Sequence, residues 1–440
     1  MSVPPPDDTA TRNATSDMPG TSFLALVVGL AFLMNTVGRG VTETFAVFLL
    51  PVQKGLGATR AEMTATYSVY ALGYAFSAPF VGQLIDRLGL RVTYGLGLGI
   101  LGTGYFLAGS VNSPLAYYAT AGLCGGIGAA ALGMIVASSI LSRWFTRRMG
   151  SIVSLPYAAI GAGMLLFPPL TQLLLDATDW RTAHRVLGLV TLAFLPAILL
   201  LPLGRMTAGS EEWRQARRSA TQSVSGGWTV SSAMRTGAFW GLFSAYFWTS
   251  VAAYSVLPQS VAYLIEQGFN PLVAASAFGM TGMLSAFGIM GVGWMSDRFG
   301  RLPTVTVTYL LSIVGTTSLL LVAIWPNLVL VYGFVLFFGS MQGARGPIIV
   351  ALLAKLYHGG AIGSIFGMLS IAMGLGQAIG SFASGLLQDW TGAYFASFSL
   401  GIFGSSMGLL MFWLVRSLRR EELAQPAELQ PRMGGPAAGK

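Results

Sequence analysis

Long apolar runs separated by short polar turns dominate the chain of 440 residues. A helix needs about twenty mostly apolar residues to cross a bilayer. The pattern therefore predicts twelve membrane spans, numbered 1 to 12 along the chain: 22–50, 61–85, 91–111, 114–142, 149–175, 182–203, 237–263, 272–296, 303–324, 327–354, 361–387 and 392–416. The long polar stretch 204–236 separates the first six spans from the last six.

A duplication relates these two sets of six spans. The turn after span 2, residues 82–91 with the sequence GQLIDRLGLR, returns after span 8 as residues 293–301, GWMSDRFGR, at an offset of 211 residues. A second segment, Gly150-Ser151-Ile152, returns 213 residues later as Gly363-Ser364-Ile365. Two segments repeated at nearly one spacing predict two pseudo-symmetric halves of six helices each.

The repeated turn has a physical logic of its own. Glycine at positions 89 and 300 lets the chain leave one helix and enter the next within a tight turn. Asp86 and Asp297 are placed to cap the following helix or to pair with an arginine of the other half.

Composition and charge distribution place the chain in a membrane. Hydrophobic residues make up 54% and charged residues 9% of the sequence, against about 25% charged residues in soluble proteins. With the N-terminus inside, nineteen lysines and arginines fall on the cytoplasmic side and four on the outer side, as the positive-inside rule requires. The net charge of +9 is thus a topology signal and does not indicate nucleic-acid binding. We expect a multi-pass protein of the plasma (inner) membrane with both termini cytoplasmic.

The same pattern predicts the domain organisation. The segments are a disordered cytoplasmic tail (1–21), the first six-helix half (22–203), a cytoplasmic linker (204–236), the second six-helix half (237–416) and a cytoplasmic C-terminal tail (417–440).

The pattern G-x-L-x-D-R-x-G-x-R after span 2, echoed after span 8, resembles the signature of the major facilitator superfamily. This resemblance, which extends over about residues 20–418, implies an all-α integral membrane fold of twelve helices in two pseudo-symmetric halves. It also implies a substrate site between the halves and alternating access by rocking of the halves. The two turns would then latch the cytoplasmic face in the outward-open state. The gating residues are Gly82, Asp86, Arg87, Gly89, Arg91, Gly293, Asp297, Arg298, Gly300 and Arg301.

Three ionisable groups lie within the predicted spans, away from their ends: Arg39 and Glu43 on span 1 and Arg345 on span 10. Such groups are expensive in lipid and usually functional. Asn35, Arg39 and Glu43 recur every four residues and form one polar stripe along the helix. Either Arg39 and Glu43 are a structural ion pair, or Arg39 binds substrate and Glu43 exchanges a proton with it, because a carboxyl group in apolar surroundings can bind and release protons near neutral pH.

Arg345 lies beside Gly343, Gly346 and Pro347, which loosen the helix, and Gln342 lies one turn back on the same face. An arginine stays charged and can hold a carboxylate through two parallel hydrogen bonds. The three charges sum to +1, which an anionic substrate would neutralise. A structural arginine bonded to helix carbonyls is the alternative.

Polar-tipped aromatic side chains accompany these charges and can line a small pocket, although each one can also be a packing residue. The candidate substrate-binding residues are Arg345, Arg39, Asn35, Gln342, Tyr70, Tyr74, Tyr157, Trp248, Tyr254 and Gln377, with Tyr67 on the face of Tyr70 and Tyr74. His184 and His358 fall at span ends, where we predict solvated positions.

No paired carboxylates, Cys/His cluster or phosphate loop occurs in the sequence, so we expect no enzymatic activity, metal or cofactor. The segments 44–51, 144–150 and 385–394 resemble the monocarboxylate and oxalate/formate porter branch of the superfamily, although the charged residues of span 8 in that branch are missing here. This resemblance implies a small carboxylate or other organic anion as the substrate, moved with a proton or exchanged for another anion. The alternative is an exporter of apolar or drug-like compounds. We expect the protein to function as a monomer in the lipid bilayer.

Overall fold

The computed structural model describes residues 21–145, 149–201, 203–210, 228–357 and 362–415. Within these ranges the secondary structure is helical throughout and contains no β-strand. Nearly all of the predicted N-terminal tail, the predicted C-terminal tail and the middle of the predicted linker lie outside the described residues. The domain boundaries proposed above therefore remain predictions.

In the first half, every predicted span coincides with helical structure. Span 1 consists of Thr21–Glu43 and Phe45–Leu56, and spans 2 and 3 form the continuous stretch Arg60–Ala108. Span 4 consists of Pro114–Tyr117, a π-helix Tyr118–Cys124, Gly125–Leu132 and Met134–Trp144. Span 5 is Met149–Ala177, and span 6 consists of Trp180–Leu192 and Leu195–Leu200. Two short helices, Leu203–Ala208 and Val230–Met234, lie at the two ends of the predicted linker.

The second half repeats this arrangement. Span 7 consists of Gly237–Tyr254 and Leu257–Glu266, span 8 is Pro271–Phe299, and span 9 is Arg301–Leu321. Span 10 consists of Leu328–Gly333, a π-helix Phe334–Gly339 and Arg345–Leu356. Span 11 is Ile362–Thr391, and span 12 is Tyr394–Leu414. By length and composition, eight helical stretches of the described chain qualify on their own as membrane-crossing, namely spans 1, 4, 5, 6, 8, 9, 11 and 12.

The two repeated turns behave as the sequence predicted. Gly89 adopts φ 78° and ψ 179°, and Gly300 adopts φ 87° and ψ 164°. This backbone region is essentially restricted to glycine. Each turn therefore reverses the chain between two long helices without intervening loop residues.

Helix interruptions in spans 1, 7, 4 and 10 are also related by the duplication. The first helix of span 1 ends at Glu43, and the first helix of span 7 ends at Tyr254, 211 residues later. Span 4 breaks at Gly133, and span 10 breaks over residues 342–344, directly before Arg345. An interrupted helix frees backbone groups and redirects side chains, which allows a polar site to form within the membrane.

Glycines allow the helices of the two halves to approach closely. A Cβ atom on Gly161 of span 5 would lie 2.8 Å from the carbonyl oxygen of Gly282 of span 8, and one on Gly279 would lie 2.7 Å from that of Met164. Small residues at such crossings favour tight helix packing in lipid, where no hydrophobic force drives association. On the outside, large apolar side chains such as Leu115, Leu200 and Trp390 are 74–85% exposed, as expected for a surface in contact with lipid.

Candidate functional site

The polar stripe of span 1 reaches into the space between the two halves. Arg39 Nη2 forms an ion pair with Glu43 Oε1 at 2.7 Å and also donates to the hydroxyl of Tyr254 on span 7 at 3.0 Å. Its Nη1 donates to the hydroxyl of Tyr70 on span 2 at 2.8 Å. Tyr67 donates to Glu43 Oε1 at 3.2 Å. We call these five residues the Arg39 cluster.

Aromatic rings enclose the Arg39 cluster. The ring of Tyr67 stacks on Tyr254 at a centroid distance of 5.5 Å and packs against Tyr70 at 5.1 Å. Glu43 is 3% exposed, whereas the side chain of Arg39 is 19% exposed. The Nε–H of Arg39 is buried and has no hydrogen-bond acceptor among the described residues. The cluster thus holds one buried ion pair with an unused donor on its cationic partner.

Asn35 and Tyr74 lie together at the interruption of span 4. A Cβ atom on Gly133 would lie 3.3 Å from the Tyr74 hydroxyl and 3.8 Å from Asn35 Oδ1, and Asn35 Nδ2 lies 3.9 Å from the sulfur of Met134. The ring of Tyr74 packs against Tyr70 at 6.3 Å. This continuity places Asn35 and Tyr74 next to the Arg39 cluster.

Arg345 lies elsewhere, inside the second half. Its guanidinium donates to the hydroxyl of Ser312 on span 9 and to the carbonyl oxygen of Met341 at 3.3 Å, and it stacks over the ring of Tyr309 at 4.3 Å. Tyr309 in turn shares a hydrogen bond of 2.5 Å with Thr249 of span 7. Arg345 is 3% exposed, and no carboxylate of the described chain lies within 4.0 Å of its guanidinium. A cation–π contact, one hydroxyl and one carbonyl oxygen stabilise its charge instead.

The remaining candidates are not brought into either group by a described contact. Trp248 packs edge-on against Phe403 of span 12 at 5.4 Å. Gln377 is buried on span 11, and Gln342 is half-buried with an unbonded Oε1. The side chain of Tyr157 lies outside the described residues. Among the described residues, no three His, Cys, Asp or Glu side chains come together as metal ligands would.

A network at the predicted outer end of the bundle joins the two halves. Asp389 of span 11 accepts from the backbone N–H groups of Arg60 and Ala61 at 2.9 and 2.7 Å, at the start of span 2. The side chain of Arg60 pairs with Glu266 of span 7 at 2.7 Å, and Tyr394 donates to Glu266 at 2.6 Å. We call Arg60, Glu266, Asp389 and Tyr394 the outer latch. Closer to the middle, Ser68 donates to the carbonyl oxygen of Ala378 at 2.6 Å.

Sequence reasoning missed the outer latch and the Tyr309–Thr249 link. Arg60 and Glu266 are charged residues in predicted outer turns, 206 positions apart, and nothing in one sequence says that they pair. A weak signal existed for Asp389, because its position repeats Asp176 in the duplication. The two are used differently, since Asp176 accepts from Gln172 of its own helix at 2.8 Å.

The gating turn after span 2 makes an ion pair within the first half. The Asp86 carboxylate meets Arg143 of span 4 at 2.6 Å. Arg143 also donates to the carbonyl oxygen of Thr207 at 2.8 Å, which ties the turn to the start of the linker. Asp297, Arg298 and Phe299 of the second turn are exposed.

His184 corrects one expectation. The prediction of a solvated side chain at the end of span 6 is wrong, since His184 is 0% exposed. One ring nitrogen, Nδ1, faces the carbonyl oxygen of Trp180 at 2.8 Å, and Nε2 faces the hydroxyl of Tyr117 at 3.0 Å. Nδ1 therefore carries the proton, and Tyr117 donates to Nε2. His358 lies outside the described residues.

Comparisons with known proteins agree with this architecture. The family profile described as Major Facilitator Superfamily matches residues 24–344. Monocarboxylate transporter 13 of Bos taurus is 27% identical over 379 residues, covering 85% of this chain and 84% of the bovine protein. An uncharacterized MFS-type transporter of Bacillus subtilis, YcxA, is 24% identical over 370 residues, covering 80% and 85%.

A solved structure shares the fold at lower identity. The inward open conformation of the xylose transporter XylE from E. coli superimposes with a TM-score of 0.68 at 15% sequence identity, covering 90% of this chain and 99% of the other. The family match spans well over half of the chain, and the twelve helices occur in two related halves. The chain is therefore a membrane transport protein that belongs to the major facilitator superfamily.

Proposed function

We propose that the protein is a secondary active transporter of a small organic anion, most simply a monocarboxylate, that moves together with a proton by alternating access. The observation that carries this proposal is the position of Arg39. Its guanidinium lies between the halves and bonds Glu43 of the first half and Tyr254 of the second. A ligand that replaces one of these bonds therefore acts on both halves at once.

Exchange of partners at Arg39 supplies the coupling. While Glu43 is ionised, its carboxylate occupies the guanidinium and a substrate carboxylate has to compete with it. Protonation of Glu43 removes that charge and leaves Arg39 as a largely buried cation without a counter-charge, which is unfavourable. A substrate carboxylate then restores neutrality and can use the spare Nε–H of Arg39 as well.

The charge balance makes the coupled cycle electroneutral. The cluster carries the same net charge with an ionised Glu43 and no substrate as with a protonated Glu43 and one bound anion. One proton and one monovalent anion therefore bind and leave together. Anion alone or proton alone would leave an uncompensated charge in the membrane, and this is the physical basis for tight coupling.

Alternating access is supported by the uneven packing of the halves. The outer latch and the close approach of Gly385 to Thr64 join spans 2 and 11 at the predicted outer end. Towards the predicted inner end, Gly82, Gly293 and Gly367 have no described atom within 4 Å of an added Cβ. We infer that these glycines form close helix contacts when the inner ends approach each other. The two repeated turns would then hold the inner ends together in the outward-open state.

The relatives support the substrate class. Several curated relatives of this chain are named monocarboxylate transporters, and the tyrosine rings of the Arg39 cluster would pack against the short apolar part of such a ligand. We extend the proposal to the plasma membrane, to cytoplasmic termini, which the distribution of lysine and arginine supports, and to a functional monomer.

Uptake into proteoliposomes tests the proposal. Labelled lactate, pyruvate and oxalate are offered with and without an inward proton gradient, to the native protein and to Arg39→Gln. We expect one or more of these anions to accumulate with the gradient and the Arg39→Gln protein to lose uptake. Uptake that requires a second anion inside the vesicles and does not respond to the proton gradient would show that the protein exchanges anions and is not a proton symporter.

Arg345→Gln distinguishes the two arginines. Because Arg345 faces Ser312 and Tyr309 within the second half, we place substrate on Arg39 and expect Arg345→Gln to retain anion binding. Loss of binding in Arg345→Gln with retention in Arg39→Gln would contradict the proposal. Failure of every carboxylate, together with export of apolar dyes, would favour the drug-exporter alternative.

A further inference from the structure

A small cavity lies behind the Arg39 cluster, inside the first half. Its lining comes from spans 1, 2, 3 and 4, and the lining residues are Thr42, Phe45, Thr66, Tyr67, Tyr70, Tyr105 and Ala121. Most of the polar atoms on its wall are hydroxyl groups. The space has about the volume that one water molecule needs.

One hydroxyl on the cavity wall has no partner. Thr66 is 1% exposed, and its Oγ1 makes no hydrogen bond among the described residues. This is unusual for a threonine in a helix, whose hydroxyl commonly bonds a carbonyl oxygen one turn back, as Thr42 does to Gly38 at 3.0 Å. A buried polar group without a partner is costly, and a water molecule in the cavity would satisfy it.

The cavity lies between Glu43 and the predicted outer surface. Tyr67 both lines the cavity and donates to Glu43 at 3.2 Å. Thr66 lies six residues from the outer start of span 2 at Arg60, and Tyr105 lies three residues from the outer end of span 3 at Ala108. The path from Glu43 through Tyr67 to the cavity therefore runs outward through the first half, whereas the space between the halves is closed by the outer latch.

We propose that this cavity binds a water molecule, held by Thr66, that passes protons to and from Glu43 by way of the Tyr67 hydroxyl. This inference rests on the proposed role of Glu43 as the proton-carrying group. The transfer is a shift of hydrogen bonds: the water gives a proton to the Tyr67 oxygen, and Tyr67 gives its own proton to Glu43. No bond other than O–H bonds changes, and the water regains its proton from the outer side.

The groups that face Glu43 allow this transfer. Arg39 on its own helix forms an ion pair with the Glu43 carboxylate, and the phenol of Tyr67 from span 2 donates to that carboxylate. The hydroxyls of Tyr70 and Tyr254, from spans 2 and 7, accept from Arg39. Tyr67 thus bonds the carboxylate and also lines the cavity. The proton and the anion thus reach the Arg39 cluster by different routes.

The variants of Thr66 test the water without removing Glu43. Thr66→Val keeps the side-chain shape and deletes the hydroxyl, so the water loses its anchor. Thr66→Ser keeps the hydroxyl, and Thr66→Ala makes room for a second water in its place. Thr191→Val is the matched control, because Thr191 is also fully buried and its hydroxyl bonds only the Leu187 carbonyl oxygen of its own helix at 2.8 Å.

The primary readout needs no substrate. Infrared spectroscopy of the purified full-length protein follows exchange of the Glu43 carboxyl proton for deuterium at low pH, with the band assigned by its loss in Glu43→Gln. We expect exchange at least about 10-fold slower in Thr66→Val and native rates in Thr66→Ser, Thr66→Ala and Thr191→Val. Native exchange in Thr66→Val, or a Glu43 that never protonates in the folded protein, would overturn the inference.

Transport separates this inference from the proposed function. With labelled lactate, pyruvate or oxalate as the probe, Thr66→Val should lose most proton-driven accumulation but keep lactate–lactate, pyruvate–pyruvate or oxalate–oxalate exchange at equal pH, because exchange requires no net proton transfer. If no carboxylate is transported by the native protein, the proposed substrate fails, while the infrared rates still decide whether the water relay exists. Loss of exchange together with accumulation in Thr66→Val would mean a structural defect and would count against the relay.

Discussion

The outer latch allows a quantitative prediction about which state the protein occupies. Asp389 accepts two backbone N–H bonds, at 2.9 and 2.7 Å, from the first residues of span 2 across the boundary between the halves. It therefore acts as a second cap, supplied by the other half, beside the capping box that Thr59 and Glu62 form within the first half. Replacement of such a cap by alanine costs about 0.5–2 kcal/mol, and the carboxylate also interacts favourably with the helix dipole.

In the proposed alternating-access cycle these bonds exist only when the outer ends are closed, so Asp389→Ala should shift the conformational equilibrium and leave each half folded. A loss of about 1–2 kcal/mol changes the ratio of the two states about 5- to 30-fold towards the outward-open state. The duplication provides the control: Asp176→Ala removes the equivalent carboxylate of the first half, which bonds Gln172 on its own helix and no residue of the second half in the described structure.

Double electron–electron resonance between two spin labels measures the shift in the conformational equilibrium. One spin label lies in the loop between spans 3 and 4 and the other in the loop between spans 9 and 10, with the single native Cys124 replaced by serine. The distance distribution of Asp389→Ala should gain a longer component that Asp176→Ala lacks. An unchanged distribution, or the same change in both variants, would refute the assignment of Asp389 as an inter-half cap.

A double substitution tests whether the latch acts as a unit. Asp389 engages the backbone of Arg60 and Glu266 engages its side chain, so both depend on the position of one residue. The free-energy shifts of Asp389→Ala and Glu266→Gln should then fail to add by about 0.5–3 kcal/mol. Strict additivity in the same distance measurement would show two independent contacts.

Three further outcomes follow from particular contacts. Glu43→Gln should make anion uptake independent of external pH while anion exchange continues, and uptake assays that still show a full response to the proton gradient would exclude Glu43 as the coupling group. His184→Ala should lower stability in detergent by about 2–4 kcal/mol, because it opens a cavity and leaves the buried Tyr117 hydroxyl unpaired; an unchanged melting temperature would contradict this. Gly89→Ala should cost about 1–3 kcal/mol from backbone strain at φ 78°, whereas Gly95→Ala, with no described atom near the added Cβ, should melt like the native protein.

The sequence by itself determined the fold. Lipid offers no hydrogen bonds to an unfolded backbone, so twelve apolar runs of sufficient length must form membrane-spanning helices. The duplicated turns then define two related halves, and the distribution of arginines sets the orientation of the helices. The positive φ of Gly89 and Gly300 could be predicted for the same reason, since a tight reversal between two helices admits little but glycine. The stripe of Arg39 and Glu43 was visible because a spacing of four residues fixes one face of a helix.

Only the tertiary structure decided what each polar group touches. Arg39 and Arg345 are both arginines within apolar helices, but one lies between the halves with a carboxylate and the other lies within one half on a tyrosine ring. His184 and the outer latch were missed for a related reason. Their partners are brought together by helix packing, and pairings such as Arg60 with Glu266 join residues 206 positions apart, which no local periodicity encodes.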